Sequence, residues 1–335
     1  MINLSEYQEW AETVQKLLKN EMKWRDQYKD YANKLLESEN DMKKTKESFH
    51  RVSFLPCYVT LGNMKDGNPI FDLRYLGQSV GEIRVKEGTP YLYVDSKKSE
   101  NSKEYFKYDL GVISGDEWGT GEKAKMFRKF YNKKDEDTKY LPRQIEHMVE
   151  SRLYQEFEKK TSKGKQILNI QPITFAKTWL HMKTCLAASN SKNKKIHISD
   201  TGGEIDIICR KKYSNRDSRL TVIEVKDEFK ESENFELTMF QAISYAVFIR
   251  ELIHSECGKN WMKIWGLEKQ YNIYKKNGFT INAVAAMPVT DNDPIPDFNN
   301  TELTLGNDKI SLHYIALDPS IREANGKVSI KKTSL

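Results

Sequence analysis

A chain of 335 residues with 38% apolar and 30% charged side chains is long enough to bury one large core or two modest ones, and no apolar run reaches the length of a membrane span. Its net charge of +6 favours a polyanionic partner. Cys57, Cys185, Cys209 and Cys257 stand singly, with no CxxC pair and no His at zinc-finger spacing, so neither a disulfide framework nor structural zinc is implied. The opening residues are polar and lack the apolar stretch of a secretory leader, so a cytoplasmic location is expected.

Residues 1–50 carry Tyr7, Trp10, Val14, Leu17, Trp24, Tyr28, Tyr31, Leu35 and Met42 at steps of three and four, broken by the polar Glu21 and Ser38. The spacing predicts a long helix. Two readings stand for its apolar seam: a coiled coil that makes the protein a homodimer or higher oligomer, or one amphipathic helix lying on the core. Residues 51–115 hold four short β-type runs, RVSFLPCYVTLG, PIFDLRYLG, VGEIRVKEG and PYLYVD, punctuated by Gly, Pro and Asn. They predict a small antiparallel sheet of recognition, regulatory or structural use.

Residues 116–140 form a charged connector, part helix, in which Lys123, Lys125, Arg128, Lys129, Lys133 and Lys134 interleave with aromatic residues. Such a stretch suits a nucleic-acid track; equally, Phe127, Phe130 and Tyr131 suit the inner face of an amphipathic helix. Two further basic clusters, Lys192–Lys195 and Arg210, Lys211, Lys212, Arg216 and Arg219, flank an acidic segment.

From 141 to 335 the order is helix, strands, helix, strands. PRQIEHMVESRLYQEFEKK reads as a helix with a stripe at Ile145, Met148, Val149, Leu153 and Phe157. KQILNIQPITF and KKIHIS read as strands around a middle helix, AKTWLHMKTCLAAS. GEIDIICRK and LTVIEVKD read as paired strands, NFELTMFQAISYAVFIRELIHSE as a long helix, and TINAVAAMPV and KISLHYIAL as further strands. The expected architecture is α/β: a mixed central sheet flanked by helices, preceded by a long helix and a small β-rich region.

The acidic residues need a reason, because an unpaired charge inside a strand is costly. Glu224 and Lys226 project to one side of their strand, and Asp206 on a neighbouring strand can join them. Two carboxylates and an ammonium at a sheet's end suit a hard divalent cation that activates a water against a phosphoryl group. Glu204 is left outside this set, and His147, His181 and His197, at no recognisable spacing, are read as incidental.

Asp206, then Glu224, Val225 and Lys226 on the next strand, resemble the catalytic core of the PD-(D/E)XK nuclease superfamily over about residues 141–318. The resemblance implies a restriction-endonuclease-like core and a Mg2+-dependent hydrolase of phosphodiester bonds, with Mn2+ as a substitute. One departure is Ile205, where many members carry Pro. The family's helix carboxylate falls on Glu150, with Glu146 as the alternative. Gln241 and Tyr245 match the QxxxY element of the RecB-like branch, which places them on one helix face beside the chemistry. Lys123, Lys125, Arg128, Lys129, Arg210, Lys211 and Lys212 are the expected phosphate contacts. The implied setting is restriction or anti-phage defence, with a partner protein of such a system, a DNA endonuclease favoured over one acting on RNA, and no membrane. A repair or recombination nuclease, or a non-catalytic nucleic-acid-binding module on a nuclease fold, is the competing expectation.

Overall fold

The computed structural model describes residues 3–50, 57–60, 70–131, 145–160, 164–188, 196–214 and 217–335. The expected contacts at Lys133, Lys134, Lys192, Lys194, Lys195 and Arg216 lie outside the described residues. In chain order the elements are α1 (Leu4–Asn20), α2 (Lys23–His50), β1 (Cys57–Thr60), β2 (Ile70–Tyr75), β3 (Gln78–Lys86), β4 (Thr89–Val94), α3 (Ser96–Phe106), β5 (Ile113–Glu117) and α4 (Glu122–Tyr131). There follow α5 (Ile145–Glu158), β6 (Ile170–Pro172), β7 (Thr174–Phe175), β8 (Thr178–Ala188), β9 (Ile196–Ile205), β10 (Ile207–Lys212) and β11 (Ser218–Val225). The chain closes with α6 (Phe235–His254), α7 (Gly258–Ile264), α8 (Glu268–Asn277), β12 (Thr280–Pro288), β13 (Glu302–Leu305), β14 (Asp308–Leu317) and β15 (Ile330–Thr333).

These strands make two sheets, and the fold is α/β with mixed strand directions. The first runs β5-β4-β3-β2-β1-β8-β7, with β9 on β8; the second runs β13-β14-β12-β11-β10-β6, with β15 on β14. The β10–β11 hairpin read from sequence is present, pairing Ile207 with Ile223 and Lys212 with Ser218. β11, β12 and β14 lie parallel. Their near-continuous apolar character follows from cover on both faces. Val149, Leu153, Tyr154 and Phe157 of α5 pack on Ile207, Cys209, Ile223 and Val225. The buried helix α6 packs with Ile208, Leu220, Val222, Ala283 and Ala285.

Three expectations change. The strands of 51–115 do not close a sheet of their own, because β1 pairs in parallel with β8, Tyr58 opposite Trp179. The expected middle helix AKTWLHMKTCLAAS is instead β8, the strand between β1 and β9. Buried on both faces along most of its length, it lacks the polar alternation that marks a strand, and a short apolar run of that kind is indistinguishable from a helix by periodicity.

The N-terminal helix is two helices. The polar interruption at Glu21 is where α1 ends, its backbone extended at φ −114°, ψ 93°. The seam is occupied by the chain itself: Tyr7, Val14, Trp24, Tyr28, Leu35 and Met42 are each at most 3% exposed. Tyr7 and Trp10 meet Phe240 at ring distances of 4.7 and 5.6 Å, and Tyr28 meets Phe248 at 5.0 Å. These side chains therefore offer no free apolar seam to a second copy.

Candidate functional site

The segment GEIDII is not one strand. β9 ends at Ile205 on the first sheet, β10 begins at Ile207 on the second, and Asp206 sits at the bend between them. The crossing point of the two sheets thus carries the first expected carboxylate. Asp206 Oδ2 accepts a hydrogen bond of 2.7 Å from the Val225 amide, which ties the bend to the end of β11.

Glu224, the penultimate residue of β11, is 1% exposed. Lys226 lies just beyond the strand, where its amide donates to the Ala286 carbonyl at 2.9 Å. Its Nζ donates to Glu224 Oε1 at 3.0 Å and to Glu146 Oε1 at 3.1 Å. The second Glu224 oxygen, Oε2, is buried without a hydrogen-bond partner. From α5, Glu150 is 2% exposed, with Oε2 3.4 Å from His147 Nδ1 and Oε1 buried without a hydrogen bond.

The QxxxY pair arrives from the opposite side on α6. Gln241 Nε2 donates to Tyr245 Oη at 3.3 Å. Tyr245 reaches the cleft because Gly203 has no side chain: a Cβ there would stand 2.5 Å from Tyr245 Oη. Gly202 adopts φ +55° where β9 slips register against β8, and a Cβ there would lie 1.7 Å from the Thr184 carbonyl oxygen.

Glu146, Glu150, Asp206, Glu224, Lys226, Gln241 and Tyr245 all line one cleft of about 550 Å³. His147, His181, His197, Ala187, Ala188 and Glu204 complete its wall. Glu204 stood outside the expected site, although residues two apart on a strand share a face, which was signal enough to include it. His181 was hidden because its strand read as a helix.

Burial raises the Glu224 carboxyl to about 7, against the pull of Lys226. Burial, then the neighbouring Glu224, likewise hold Asp206 well above the usual carboxylate range. On Lys226, burial acts downward, but Glu224, Asp206 and Glu146 outweigh it and leave the ammonium above its ordinary value. Burial, followed by Arg74, holds His181 well below the ordinary imidazole value.

A divalent cation fits the chemistry of this donor set. Two buried carboxylate oxygens, Glu224 Oε2 and Glu150 Oε1, have no hydrogen bond, and hard oxygens are what Mg2+ or Mn2+ takes. In the placement seen here Lys226 lies between Glu224 and Glu146, and among the described residues no group of three or more acidic, His or Cys side chains stands at metal-binding spacing.

None of Lys123, Lys125, Arg128, Lys129, Arg210, Lys211 and Lys212 lines the cleft. Lys212 is six residues beyond Asp206, about 20 Å along the strand, so the basic loop of the β10–β11 hairpin lies at its far end. Lys211 is buried, its Nζ donating to the Leu168 carbonyl at 2.6 Å, and Arg210 donates to the Gly266 carbonyl at 3.4 Å. Lys123, Lys125 and Lys129 are exposed on α4, while Arg128 lies over the Trp118 ring and Phe127 and Tyr131 face the core. That helix packs beside β5 and reaches across the sheet, with Phe127 against Gly81 of β3 and Tyr131 meeting Tyr75 of β2 at 5.1 Å.

Compared with family models, with curated proteins and with solved structures, the chain gives no match in any of the three. Among the described residues no helix is long and apolar enough to cross a membrane.

Proposed function

We propose that this chain is a Mg2+-dependent nuclease with a restriction-endonuclease-like core, hydrolysing phosphodiester bonds in DNA. One observation carries the reading: residues chosen from sequence by motif order, on α5, the β9–β10 bend, β11 and α6, converge on a single cleft. Their convergence is independent of the pattern that selected them. A structural ion-pair network accounts for Lys226 with Glu224 and Glu146, but not for two orphaned carboxylate oxygens in the same wall.

In this reading Asp206, Glu224 and Glu150 would hold the cation, which would supply Lewis-acid polarisation of a phosphoryl oxygen and a water of lowered pKa. Lys226 keeps its proton at Nζ, because three carboxylates face it, and its charge stabilises the negative charge that grows on the phosphate oxygens. Gln241 and Tyr245 offer donors to the substrate backbone. The resemblance extends the reading to DNA and to restriction or anti-phage defence.

The test is incubation of the purified protein with plasmid, linear duplex, single-stranded DNA and RNA in Mg2+, Mn2+ or EDTA. Cleavage should need the cation and should disappear in Asp206→Ala, Glu224→Ala and Lys226→Ala. Cation-dependent binding without cleavage by the wild type would favour a non-catalytic module instead, and undiminished cleavage by the variants would remove the assignment.

A further inference from the structure

The β2–β3 hairpin, expected to belong to a separate β-rich region, reaches the back of the cleft. At its turn Gly77 has φ +78°, and a Cβ there would lie 1.9 Å from the His147 carbonyl oxygen on α5. Hairpin and helix are thus in backbone contact one helical turn from Glu150. Along β2, Arg74 Nε donates to Asp72 Oδ2 at 2.9 Å, and the other Asp72 oxygen accepts from the Ser79 hydroxyl across the hairpin. The guanidinium lies over the Tyr58 ring at 4.5 Å. Its side chain is only 12% exposed and is directed inward.

It is directed at two side chains of the cleft. One terminal nitrogen is 3.2 Å from His181 Nδ1, and the other is 4.0 Å from Glu150 Oε1. The same Nδ1 stands 3.4 Å from Glu204 Oε2; a guanidinium only donates, so in the tautomer that meets Arg74 at the shorter distance Nδ1 accepts and the neutral ring carries its proton on Nε2. That Nε2 is also 4.0 Å from Glu150 Oε1, the buried oxygen with no hydrogen bond. Two donors on fixed scaffolds therefore flank one orphaned carboxylate oxygen, each just beyond bonding distance.

We infer that Arg74, with His181, is the positioning residue that aims the Glu150 carboxylate into the cleft as a divalent-cation ligand. The inference rests on the nuclease reading for its cation and selects Glu150, buried with an oxygen that makes no hydrogen bond, over the 36% exposed Glu146. Arg suits the task where Lys does not. Its planar fork spans Asp72, His181 and Glu150 at once, whereas an ammonium on the same stem is a single point of charge. Partners behind a ligand set its direction, and their loss costs metal affinity without removing a ligand.

Mn2+ titration of the full chain, followed by electron paramagnetic resonance or calorimetry, tests this without any cleavage readout. Arg74→Lys should weaken Mn2+ binding by about 10–100-fold, as should His181→Gln, which leaves the Asp72–Arg74 pair in place if the first variant melts out. Because Arg74 acts through Glu150, the double variant Arg74→Lys/Glu150→Gln should bind no more weakly than Glu150→Gln alone. A general loss of packing would instead add to the Glu150 effect. Unchanged Mn2+ affinity in either folded single variant, or full additivity in the double, overturns the inference. Failure of the wild type to bind Mn2+ overturns it together with the metal reading. Mn2+ binding that depends on Arg74 in a protein that cuts no nucleic acid upholds the inference while the nuclease reading falls.

Discussion

Glu224 is held by Lys226 on one oxygen and by nothing on the other, and burial lifts its carboxyl to about 7. Between its unfolded value and that value, the folded chain binds more protons at this site than the unfolded chain does. Its contribution to stability is therefore greatest in acid and declines as pH rises to about 7. The decline is on the order of 3 kcal/mol for a shift of this size. Glu224→Gln cannot ionise, so the variant should gain on the metal-free wild type as pH rises from 5 to 8. Denaturant melts at both pH values in EDTA measure the gain; a difference independent of pH would show that Glu224 does not titrate as described. Mg2+, by compensating the ionised Glu224 carboxylate, should raise the wild-type melting temperature more at pH 8 than at pH 5. Gly203 offers a steric counterpart. Gly203→Ala puts a Cβ 2.5 Å from Tyr245 Oη and 2.8 Å from the Leu186 carbonyl oxygen, so it should cost about 1–3 kcal/mol by overpacking. Adding Tyr245→Phe removes the nearer atom and should restore part of that loss. Purely additive losses in thermal melts would mean that Tyr245 does not occupy the space Gly203 leaves.

At the scale of elements, α1 is an integral support of α6, the helix that carries Gln241 and Tyr245. Trp10 Nε1 donates to the Phe240 carbonyl at 3.0 Å and to Ser244 Oγ at 2.9 Å, and Tyr7 Oη donates to the Glu236 carbonyl at 3.1 Å. Tyr7, Ala11, Val14 and Leu18 are buried there. At about 2 kcal/mol for each large apolar side chain, removing residues 1–22 should cost roughly 5 kcal/mol or more, comparable with the whole stability of many domains. The expected outcome is a chain that melts early or fails to fold. A truncated chain as stable as the full one would show that the seam is dispensable to the fold and would return it to the role of a dimer contact, which light scattering would reveal. The heptad pattern was legible because burial against one's own core and burial against a partner require the same side chains, and for that reason it could not say which. Strand β8 was illegible for a related reason: cover on both faces erases the alternation that marks a strand. The pair β10 and β11 was legible because a polar loop separates two apolar runs of matched length.

For the whole molecule, motif order picked residues that share one cleft, whereas the charge runs picked residues that do not line it. Asp206, Glu224 and Lys226 could be read because strand ends constrain where side chains go. The clusters at Lys123–Lys129 and Arg210–Lys212 could not, since exposure says nothing about which end of a hairpin or which edge of a sheet a lysine occupies. The wall of the cleft itself carries five acidic side chains, Glu146, Glu150, Glu204, Asp206 and Glu224, against the single lysine Lys226. Such a wall repels a phosphate backbone until a cation offsets it. Binding of nucleic acid should therefore depend on the divalent ion before any bond is broken. In the Lys226→Met variant, which the proposed function expects not to cleave, fluorescence anisotropy with a labelled single-stranded oligonucleotide should show affinity at least 10-fold tighter in Mg2+ than in EDTA at equal ionic strength, a gain of about 1.4 kcal/mol or more. Neutralising Lys123, Lys125 and Lys129 together should leave the Mg2+-dependent part of that affinity unchanged. Equal affinity with and without Mg2+, abolished by the triple neutralisation, would place the nucleic-acid surface on α4 and separate it from the cleft.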